Sequence, residues 1–460
     1  MLKFSLSPAR LVAGTRRIHY SWVIVVVASV MWMTSSSIRF AASTLVPYME
    51  DPDYFGWSYG AIALAFTIQW LLAGLLGPVV GWLGDRYGVR RLMAAGAVLF
   101  VVGMLLTGSM THLWQWWLYF GVILAVAMAI FQVPLVTGVT LWFKTQLGLA
   151  MGILQALQGI GTALAIGLFF VLFTQFGFRW TFWVPGIVGG AILLLLVRFF
   201  HNEPADIGLR PYGANEVEPI RRLQNNDTAK ARTQVFIRQA QRTPAFWNLV
   251  GIHFWGCAGH NIILLFLIAM VVDQGLSQGT AVGVYITLTA VSTITRFVVP
   301  VVADRMGSKG AMVVCFALQT LPVLMLLVAQ DAWAFYLFAA LFGIGMGGEM
   351  VAFPIINRQY YGDAPTGTTY GWQMLGAGFG MALGPLLGGY VWDVTGEYTG
   401  AVILSFVLSL VGVVSILVLP NTSHLQIPHW EEALPAADRL SARADLPLPI
   451  SPVDAASPAD

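Results

Sequence analysis

Charged residues are scarce in this chain of 460 residues: Asp, Glu, Lys and Arg make up 10% of it, against about 25% in ordinary soluble domains. This scarcity excludes a soluble globular enzyme, and a net charge of +2 gives no reason to expect nucleic acid as a partner. Cysteine is equally rare, with only Cys257 and Cys315, both inside apolar runs. We therefore expect neither a disulfide framework nor a cysteine metal site.

Long apolar runs make up most of the chain, which is 57% hydrophobic and contains 48 glycines. A bilayer core about 30 Å thick requires about 20 apolar residues per helix, so runs of that length are candidate spans. Cut at clusters of glycine, proline or charge, the runs fall at 20–48, 57–82, 92–111, 113–141, 148–175, 179–200, 244–272, 280–303, 310–329, 332–357, 366–392 and 399–419. The sequence therefore predicts an all-α membrane protein with twelve transmembrane helices.

The few charges indicate an orientation, because Lys and Arg accumulate in cytoplasmic loops. Alternate connections between the runs carry the basic residues Arg86, Arg90, Arg91, Lys144, Arg305, Lys309 and Arg358. The opposite connections carry mainly acids, namely Glu50, Asp51, Asp53, Asp273, Asp331, Asp393 and Glu397. Both termini are therefore expected in the cytoplasm: residues 1–19 as a short basic segment, and residues 421–460, rich in Pro, Ala and Ser, as a disordered tail.

The second half of the chain repeats the first at a fixed offset. Aligning Asp85 with Asp304 gives 304 − 85 = 219, and the same offset places Gly159 and Gly161 on Gly378 and Gly380. Transporters are often built from two such related halves around a site at the bilayer midplane. We therefore expect two pseudo-symmetric six-helix bundles, residues 20–200 and 244–420, joined by a cytoplasmic linker over residues 201–243.

Two motifs carry a family resemblance. Residues 81–91 read Gly-Trp-Leu-Gly-Asp-Arg-Tyr-Gly-Val-Arg-Arg, which resembles the loop signature between the second and third helices of the major facilitator superfamily. Trp142-Phe143 followed by Gly-Leu-Ala-Met-Gly at 148–152 resembles the bacterial monocarboxylate-transporter-like group and its oxalate/formate antiporter relatives. The resemblance implies the major facilitator fold, a bacterial-type inner membrane, function as a monomer and secondary transport of a small organic anion.

Arg296 is the first candidate for binding that anion. An ionisable residue deep in a span costs about 2.5–3.5 kcal/mol on insertion scales and is a functional candidate by default. Arg296 lies eight residues before Asp304 and ends a polar stripe at helical spacing, Thr289, Ser292, Thr293 and Arg296. The guanidinium suits bidentate pairing with a carboxylate, and in the resembling monocarboxylate family an arginine at this place binds the substrate. The alternative is a structural arginine tied to backbone carbonyls or to Glu349.

Arg39 forms a second polar stripe on the first helix with Ser35, Ser36 and Ser43. It is predicted to help recognise the anion, unless it reaches the outer membrane surface as a snorkelling side chain.

Glu349 and His260 are the candidates for proton coupling. Glu349 follows the run Gly-Met-Gly-Gly at 345–348, where close helix contact leaves a carboxyl little water and favours a proton carrier. His260 could bind the anion or carry a proton, since imidazole titrates near neutrality. The alternatives are a static ion pair for Glu349 and a packing role for His260.

The remaining candidates are polar residues that line the solute path or gate it. Asn261, Ser292, Tyr119 and Gln373 are the predicted lining residues, beside Arg296, Arg39 and His260. Asp85, Arg86, Arg90, Asp304 and Arg305 are the predicted gating residues, whose contacts would form in one transporter state and break in the other. Their alternative is a fixed cytoplasmic ion cluster. We expect no catalytic residue, no metal and no cofactor.

The sequence thus predicts a transporter of small organic anions, with monocarboxylates first, driven by proton symport or by anion exchange. A cation or drug exporter of the same fold is the alternative, supported by Glu349 alone. A membrane enzyme or sensor is disfavoured because no catalytic cluster is found, and ATP hydrolysis because the motif G-x-x-x-x-G-K-[ST] is missing.

Overall fold

The structure, a computed structural model, describes residues 19–215, 220, 227–362, 364–422, 424–435 and 438–439. Twelve long helices account for most of this part of the chain. They are α1 (Tyr20–Ala42), α2 (Tyr59–Tyr87), α3 (Val89–Gly108), α4 (Leu113–Leu141), α5 (Leu147–Phe176), α6 (Phe178–Phe199), α7 (Pro244–Asp273), α8 (Gln278–Met306), α9 (Ser308–Thr320), α10 (Ala332–Tyr361), α11 (Gly367–Thr395) and α12 (Tyr398–Val418). The predicted all-α fold is confirmed, with boundaries shifted by a few residues.

Several helices are extended or interrupted by other helical turns. A short helix over Val46–Glu50 follows α1 after a 3₁₀ turn, α4 contains a π-helical stretch at Trp116–Ile123, and α9 continues as a 3₁₀ helix over Leu321–Leu327. Among the described residues, eleven helices are long and apolar enough to cross a membrane. The remaining long helix, α11, has 29 residues and corresponds to the span predicted at 366–392.

The internal repeat is visible in the turns between helices. The turn after α2 is made by Gly88 with φ of 87°, and the turn after α8 by Gly307 with φ of 82°. Gly177 and Gly396 occupy the two turns after α5 and α11 in the same left-handed region, with φ of 79° and 69°. L-residues with a side chain rarely adopt this conformation, so glycines at the offset of 219 end equivalent helices in both halves.

Two pairs of helices make the most extensive contacts between the halves, α2 with α11 and α5 with α8. In the α2–α11 interface, a Cβ added at Gly77 would lie 2.5 Å from the carbonyl oxygen of Gly371. In the α5–α8 interface, a Cβ added at Gly152 would lie 2.5 Å from the carbonyl oxygen of Arg296. Both interfaces are therefore closed by backbone contact at glycine.

These interfaces lie toward one end of the bundle, where α2 and α8 end and α5 and α11 begin. We call it the basic end, because Arg86, Arg90, Arg91, Lys144, Arg305 and Arg358 lie there. Gly148, one residue into α5, would meet Pro300 with an added Cβ at 2.8 Å, whereas Gly167, further along α5, would meet nothing within 4 Å. The closest approach of the two halves is thus near the basic end.

The linker and the first part of the tail pack together at the basic end. A linker helix (Asp227–Ala240) contacts α2 and α11, and its Phe236 is buried between Tyr361 and Trp430, with ring centroids 5.4 and 5.2 Å away. Arg232 of the linker helix lies over the Trp430 ring and forms an ion pair with Glu431. Part of the tail predicted to be disordered from residue 421 onward thus packs on the linker helix through Trp430. Residues 1–18 and 440–460, which belong to the predicted terminal segments, lie outside the described residues.

Candidate functional site

Arg296 is buried at the contact between the two halves, with 9% of its surface exposed. Its Nη1 donates hydrogen bonds to the backbone oxygen of Gln155 at 2.9 Å and to the side-chain oxygen of Gln158 at 3.1 Å. Both glutamines belong to α5 of the first half, whereas Arg296 belongs to α8 of the second. Its Nε is buried and has no hydrogen-bond partner among the described residues. A carboxylate partner, including Glu349, is likewise missing within the described part of the chain.

The members of the predicted polar stripe of α8 differ in whether their hydrogen-bond donors are already used. The hydroxyl of Ser292, one turn away, is buried without a partner among the described residues. Thr289 and Thr293 instead donate to carbonyls of their own helix. Ser292 and Arg296 are therefore the two members of the stripe that offer buried, unused donors.

Arg39 is also buried, at 6% exposure, rather than extended toward a membrane surface. Its Nε donates to the Gln69 side-chain oxygen at 3.0 Å, and its guanidinium carbon lies 3.9 Å from the centre of the Trp70 ring. Gln69 in turn donates to the backbone oxygen of Phe120 at 2.7 Å. All these partners lie in the first half, so Arg39 is held within its own bundle.

Glu349 and His260 meet in the interior of the second half. The Oε2 of Glu349 lies 3.2 Å from the Nδ1 of His260, and both side chains are 0% exposed. The other carboxyl oxygen, Oε1, and the other ring nitrogen, Nε2, are buried without a hydrogen-bond partner among the described residues. The structure thus brings together the two residues predicted separately for proton coupling.

Two further residues surround this pair. Gln319 of α9 places its Nε2 at 3.5 Å from the His260 Nδ1 and donates to the backbone oxygen of Gly256 at 3.3 Å. The Cys257 thiol belongs to the same cluster, since one ligand atom each of Cys257, His260 and Glu349 lies within 4.8 Å of the others. These three side chains have the atom types of a soft metal site as well as those of a proton site.

Asp85 connects the two halves at the basic end. Its Oδ2 accepts hydrogen bonds from the backbone N–H of Thr368 at 2.9 Å and from the hydroxyl of the same residue at 3.0 Å. Thr368 is the second residue of α11, so a carboxylate at the end of α2 caps a helix N-terminus of the other half. The partner of this gating candidate is therefore a neutral residue that the sequence did not indicate.

None of the other gating candidates forms an ion pair with Asp85 among the described residues. Arg86 packs over the Trp82 and Tyr87 rings, with its guanidinium carbon 5.0 and 5.5 Å from their centres. Arg305 is exposed, and the side chain of Asp304 lies outside the described residues. In the part of the chain that the structure describes, the Asp85 carboxylate is thus held by the neutral donors of Thr368.

Arg90 belongs to a separate cavity at the basic end. The cavity measures about 280 Å³ and is lined by Tyr87, Arg90, Arg91, His201, Asn202 and Asp206. The backbone N–H of Arg90 donates to the Asn202 side chain at 2.9 Å. Burial, with a contribution from Arg90, lowers the pKa of His201, while Asp206 opposes that shift. The lowered pKa favours the neutral form of the His201 imidazole.

The remaining predicted lining residues differ in how far their polar groups are already used. The Asn261 amide donates to the backbone oxygen of Met381 at 2.7 Å. Gln373 exchanges two hydrogen bonds with Asn357, at 2.7 and 3.0 Å. Tyr119 lies in the π-helical stretch of α4, with its ring 6.1 Å from that of Trp114. Asn261 and Gln373 thus hold helices together in this structure.

Sequence reasoning missed the residues that hold the two arginines and the gate. Gln69 and Trp70 hold Arg39, and Thr368 holds Asp85. Gln155 and Gln158 hold Arg296. The sequence signal for Gln69, Gln155 and Gln158 is a glutamine inside an apolar run, since a buried amide requires a hydrogen-bond partner.

Comparison with known proteins gives matches over nearly the whole chain. The sequence profile described as Major Facilitator Superfamily matches residues 23–331 and 288–452. The protein named MFS transporter asaE of Aspergillus flavus is 25% identical over 403 residues, 85% of each chain. Monocarboxylate transporter 2 of Homo sapiens is 24% identical over 399 residues, 82% of this chain and 81% of that protein. The uncharacterized MFS-type transporter YhjX of Escherichia coli is 23% identical over 326 residues, 69% and 76% of the two chains.

A solved structure has the same fold. The proton:xylose symporter XylE, bound to 6-bromo-6-deoxy-D-glucose, superposes with a TM-score of 0.70, covering 90% of this chain and 98% of that one. The sequences are 14% identical. At that identity the similarity concerns the arrangement of helices and carries no information on the substrate.

Proposed function

This chain belongs to the major facilitator superfamily, and from that premise we propose that it transports small organic anions, monocarboxylates foremost, by alternating access. As a member of that family it is a multi-pass membrane transporter of a small molecule and not an enzyme. The substrate class rests on one observation, the buried guanidinium of Arg296 that has no acidic partner among the described residues.

The free edge of this guanidinium matches a carboxylate. Nη1 is occupied by two acceptors of α5, whereas Nε is buried and unused. Nε and the neighbouring Nη2 form the edge of an arginine that binds both oxygens of a carboxylate. A bound anion would supply the acceptors and the negative charge that this buried cation lacks, and the free Ser292 hydroxyl one turn away could add a further donor.

The position of Arg296 links binding to movement. Its hydrogen bonds cross from the second half to the first, so a change in the separation of α5 and α8 must change them. A solute bound at Arg296 would therefore favour one relative position of the halves over another, which is the requirement for a ligand-driven conformational change. Rocking of the two halves about a midplane site is the general mechanism of transporters built from repeats.

The similarity to human monocarboxylate transporter 2 supports the same substrate class. We place the protein in a bacterial-type cell membrane with its basic end in the cytoplasm, because basic residues favour that side. In that orientation the structure is closed toward the cytoplasm, and the site at Arg296 would load from the outer side.

Uptake by purified protein in proteoliposomes tests the proposal. We expect saturable uptake of a labelled monocarboxylate, reduced at least about 30-fold by Arg296→Ala, because removing one partner of a buried charged pair costs about 2 kcal/mol or more. Arg296→Lys keeps the charge but not the fork geometry and should retain intermediate activity. The matched control is Arg198→Ala, at an exposed arginine in the last turn of α6, which should stay within about twofold of wild type.

Two results would contradict the assignment. Unchanged carboxylate uptake by Arg296→Ala would remove the carboxylate site. Transport of lipophilic cations in place of carboxylates would favour the exporter alternative, for which Glu349 is the candidate acid.

A further inference from the structure

The cavity at the basic end is lined by two arginines, Arg90 and Arg91, whose guanidinium groups are not used by the protein. It measures about 280 Å³ and opens to the surface beside these two exposed residues. The backbone N–H of Arg90 donates to the Asn202 side chain. Neither guanidinium forms a hydrogen bond or an ion pair with another described residue. Two cationic groups are therefore available to a ligand in the cavity.

The other polar groups of the cavity leave its lining with a net positive charge. The Asp206 carboxylate accepts hydrogen bonds from the backbone N–H groups of Asn202 at 3.1 Å and Glu203 at 3.4 Å. Glu203 itself is buried outside the lining. Two guanidiniums and one carboxylate give the lining a formal charge of 2 − 1 = +1. The Asn202 side chain is 6% exposed, and its nitrogen has no hydrogen-bond partner among the described residues. A buried neutral donor thus lies beside the two cations.

The equivalent position in the second half uses its cation within the protein. At the offset of 219, Arg90 corresponds to Lys309. The Lys309 ammonium donates hydrogen bonds to the backbone oxygens of Leu417 and Leu419, at the end of α12. The Arg90 guanidinium makes no such bond to the end of α6 among the described residues. The first half therefore leaves available a cation that the second half satisfies with its own backbone.

An exposed stripe on α3 leads from the membrane to this cavity. Its members follow one another at spacings of four, three and four residues, namely Arg91, Ala95, Val98 and Val102. Residues at this spacing share one face of a helix. The neighbouring helix α6 adds the exposed residues Leu195 and Phe199. A molecule with an apolar chain on this stripe would thus bring its polar end to the two arginines.

We propose that the cavity binds the phosphate group of an anionic phospholipid from the leaflet at the basic end, with an acyl chain along the α3 stripe, whatever solute the protein carries. Arginine suits phosphate because its planar fork presents parallel N–H donors to two oxygens. The cavity has room for a phosphate group with its ester oxygens, since one water occupies about 30 Å³ of liquid. Basic pockets at the membrane surface are a general means of recognising anionic lipid headgroups.

The charge of the lining selects among phospholipids. A zwitterionic headgroup such as phosphatidylcholine carries its own cation, which would meet the two guanidiniums with like charge. Phosphatidylglycerol has the same phosphate without that cation and therefore complements the positive lining. The lining residues come from the turn between α2 and α3 and from the segment directly after α6. The bound lipid would thus connect the start of the linker to the first half.

Lipid competition on the full-length protein tests the proposal. Purified protein in detergent is mixed with equimolar phosphatidylglycerol and phosphatidylcholine, and the retained lipid is identified by native mass spectrometry. We expect wild type to retain phosphatidylglycerol in preference. The double variant Arg90→Gln/Arg91→Gln should reduce that preference about 25-fold, about fivefold for each basic residue at an anionic surface. Both substitutions leave the backbone hydrogen bond from residue 90 to Asn202 in place.

Arg242→Gln/Arg305→Gln is the matched control, because it removes two exposed arginines at the same end of the molecule but outside the cavity. Its preference for phosphatidylglycerol should equal that of wild type. The same loss in this control as in the cavity variant would overturn the proposal, since the preference would then arise from general surface charge. An unchanged preference in Arg90→Gln/Arg91→Gln would also overturn it.

Soluble probes distinguish a lipid from free phosphate. Inorganic phosphate and glycerophosphoglycerol, the headgroup without acyl chains, should not displace phosphatidylglycerol at equal concentration, because neither buries apolar surface on the α3 stripe. Displacement of the lipid by inorganic phosphate at equal concentration would overturn the lipid assignment and indicate a phosphate site.

Amide hydrogen exchange of wild-type protein covers the case in which the cavity variant does not fold. The protein is compared in nanodiscs of phosphatidylglycerol and in nanodiscs of phosphatidylcholine. We expect slower exchange in phosphatidylglycerol at residues 87–91 and 201–206, because a ligand that binds the folded state stabilises the segments around its site. Equal exchange of these segments in the two lipids would overturn the proposal.

Discussion

The two interfaces between the halves are built at equivalent positions but from different residues. At the offset of 219, Gly77 of the α2–α11 interface corresponds to Arg296 of the α5–α8 interface, and Gly371 corresponds to Gly152. The same backbone approach is found in both, with a Cβ at Gly77 or at Gly152 reaching the opposite carbonyl oxygen at 2.5 Å. One interface thus brings glycine against glycine, and the other brings glycine against arginine.

The two interfaces therefore differ in what they can do for transport. At Gly77 and Gly371 the α2–α11 interface brings backbone against backbone, and neither residue has a side chain that could bind a solute. The α5–α8 interface closes in the same way and also places a guanidinium between the halves. The buried carboxyl of Glu349 is a second such departure, because its equivalent in the first half is Ile130, and that of His260 is Ala41. Arg39 is the converse case, since its equivalent in the second half is Ala258, so each half carries buried ionisable residues that the other lacks.

The largest expected effect comes from a bulky substitution in the α2–α11 interface. Gly77→Val would place a branched side chain against the carbonyl of Gly371, and backbone cannot move away as a side chain can. Overpacking costs up to about 3 kcal/mol, so the closed state should become about 100-fold less populated. Spin labels at the exposed positions 91 and 305 should report a longer distance across the basic end, and uptake should fall in parallel.

Gly167→Ala is the matched control for that variant, because a Cβ there meets nothing within 4 Å. It should leave both the distance and the uptake unchanged. If Gly77→Val gave the same distance distribution as the control, the closure by glycine contact would be refuted.

A smaller effect is expected at the end of the same interface. Asp85→Asn keeps an acceptor for Thr368 but loses the negative charge at the start of α11. Charge-assisted hydrogen bonds are about twice as strong as neutral ones, so the closed state should lose about 1 kcal/mol, a factor of roughly five. The same label pair measures it, and a shift toward a shorter distance would contradict the assigned role of Asp85.

The smallest expected effects come from removing the glutamine acceptors of Arg296 and Arg39, which distinguishes the two arginines. Gln158→Leu removes one acceptor of Arg296 that lies across the α5–α8 interface and should destabilise closure by about 0.5–1.5 kcal/mol. Gln69→Leu removes the acceptor of Arg39, which lies within one half, and should lower the unfolding temperature without changing the distance between the labels. Equal distance changes in the two variants would show that Arg39 also links the halves.

Much of the fold could be predicted because its signals are local. Apolar runs of about 20 residues mark the helices, and glycines such as Gly88 and Gly307 end them where a left-handed turn is required. The packing of the tail was harder to predict, since the burial of Trp430 depends on Phe236 in the linker helix, nearly two hundred residues earlier.

The site was predictable only at the level of single residues. A charge in an apolar run identified Arg296, Arg39 and Glu349, but spacing does not say which helices meet. The pairing of Glu349 with His260, rather than with Arg296, depends on how α10 is rotated between α7 and α8. The acceptors Gln69 and Thr368 lack any charge that would have marked them.

The glycine contacts of the α2–α11 interface also bear on the temperature dependence of transport. Where glycine meets glycine, their separation uncovers backbone. The heat capacity change of a transition grows with the apolar area that it exposes. The open–closed equilibrium should therefore have a small heat capacity change, and a plot of its logarithm against inverse temperature should be close to a straight line.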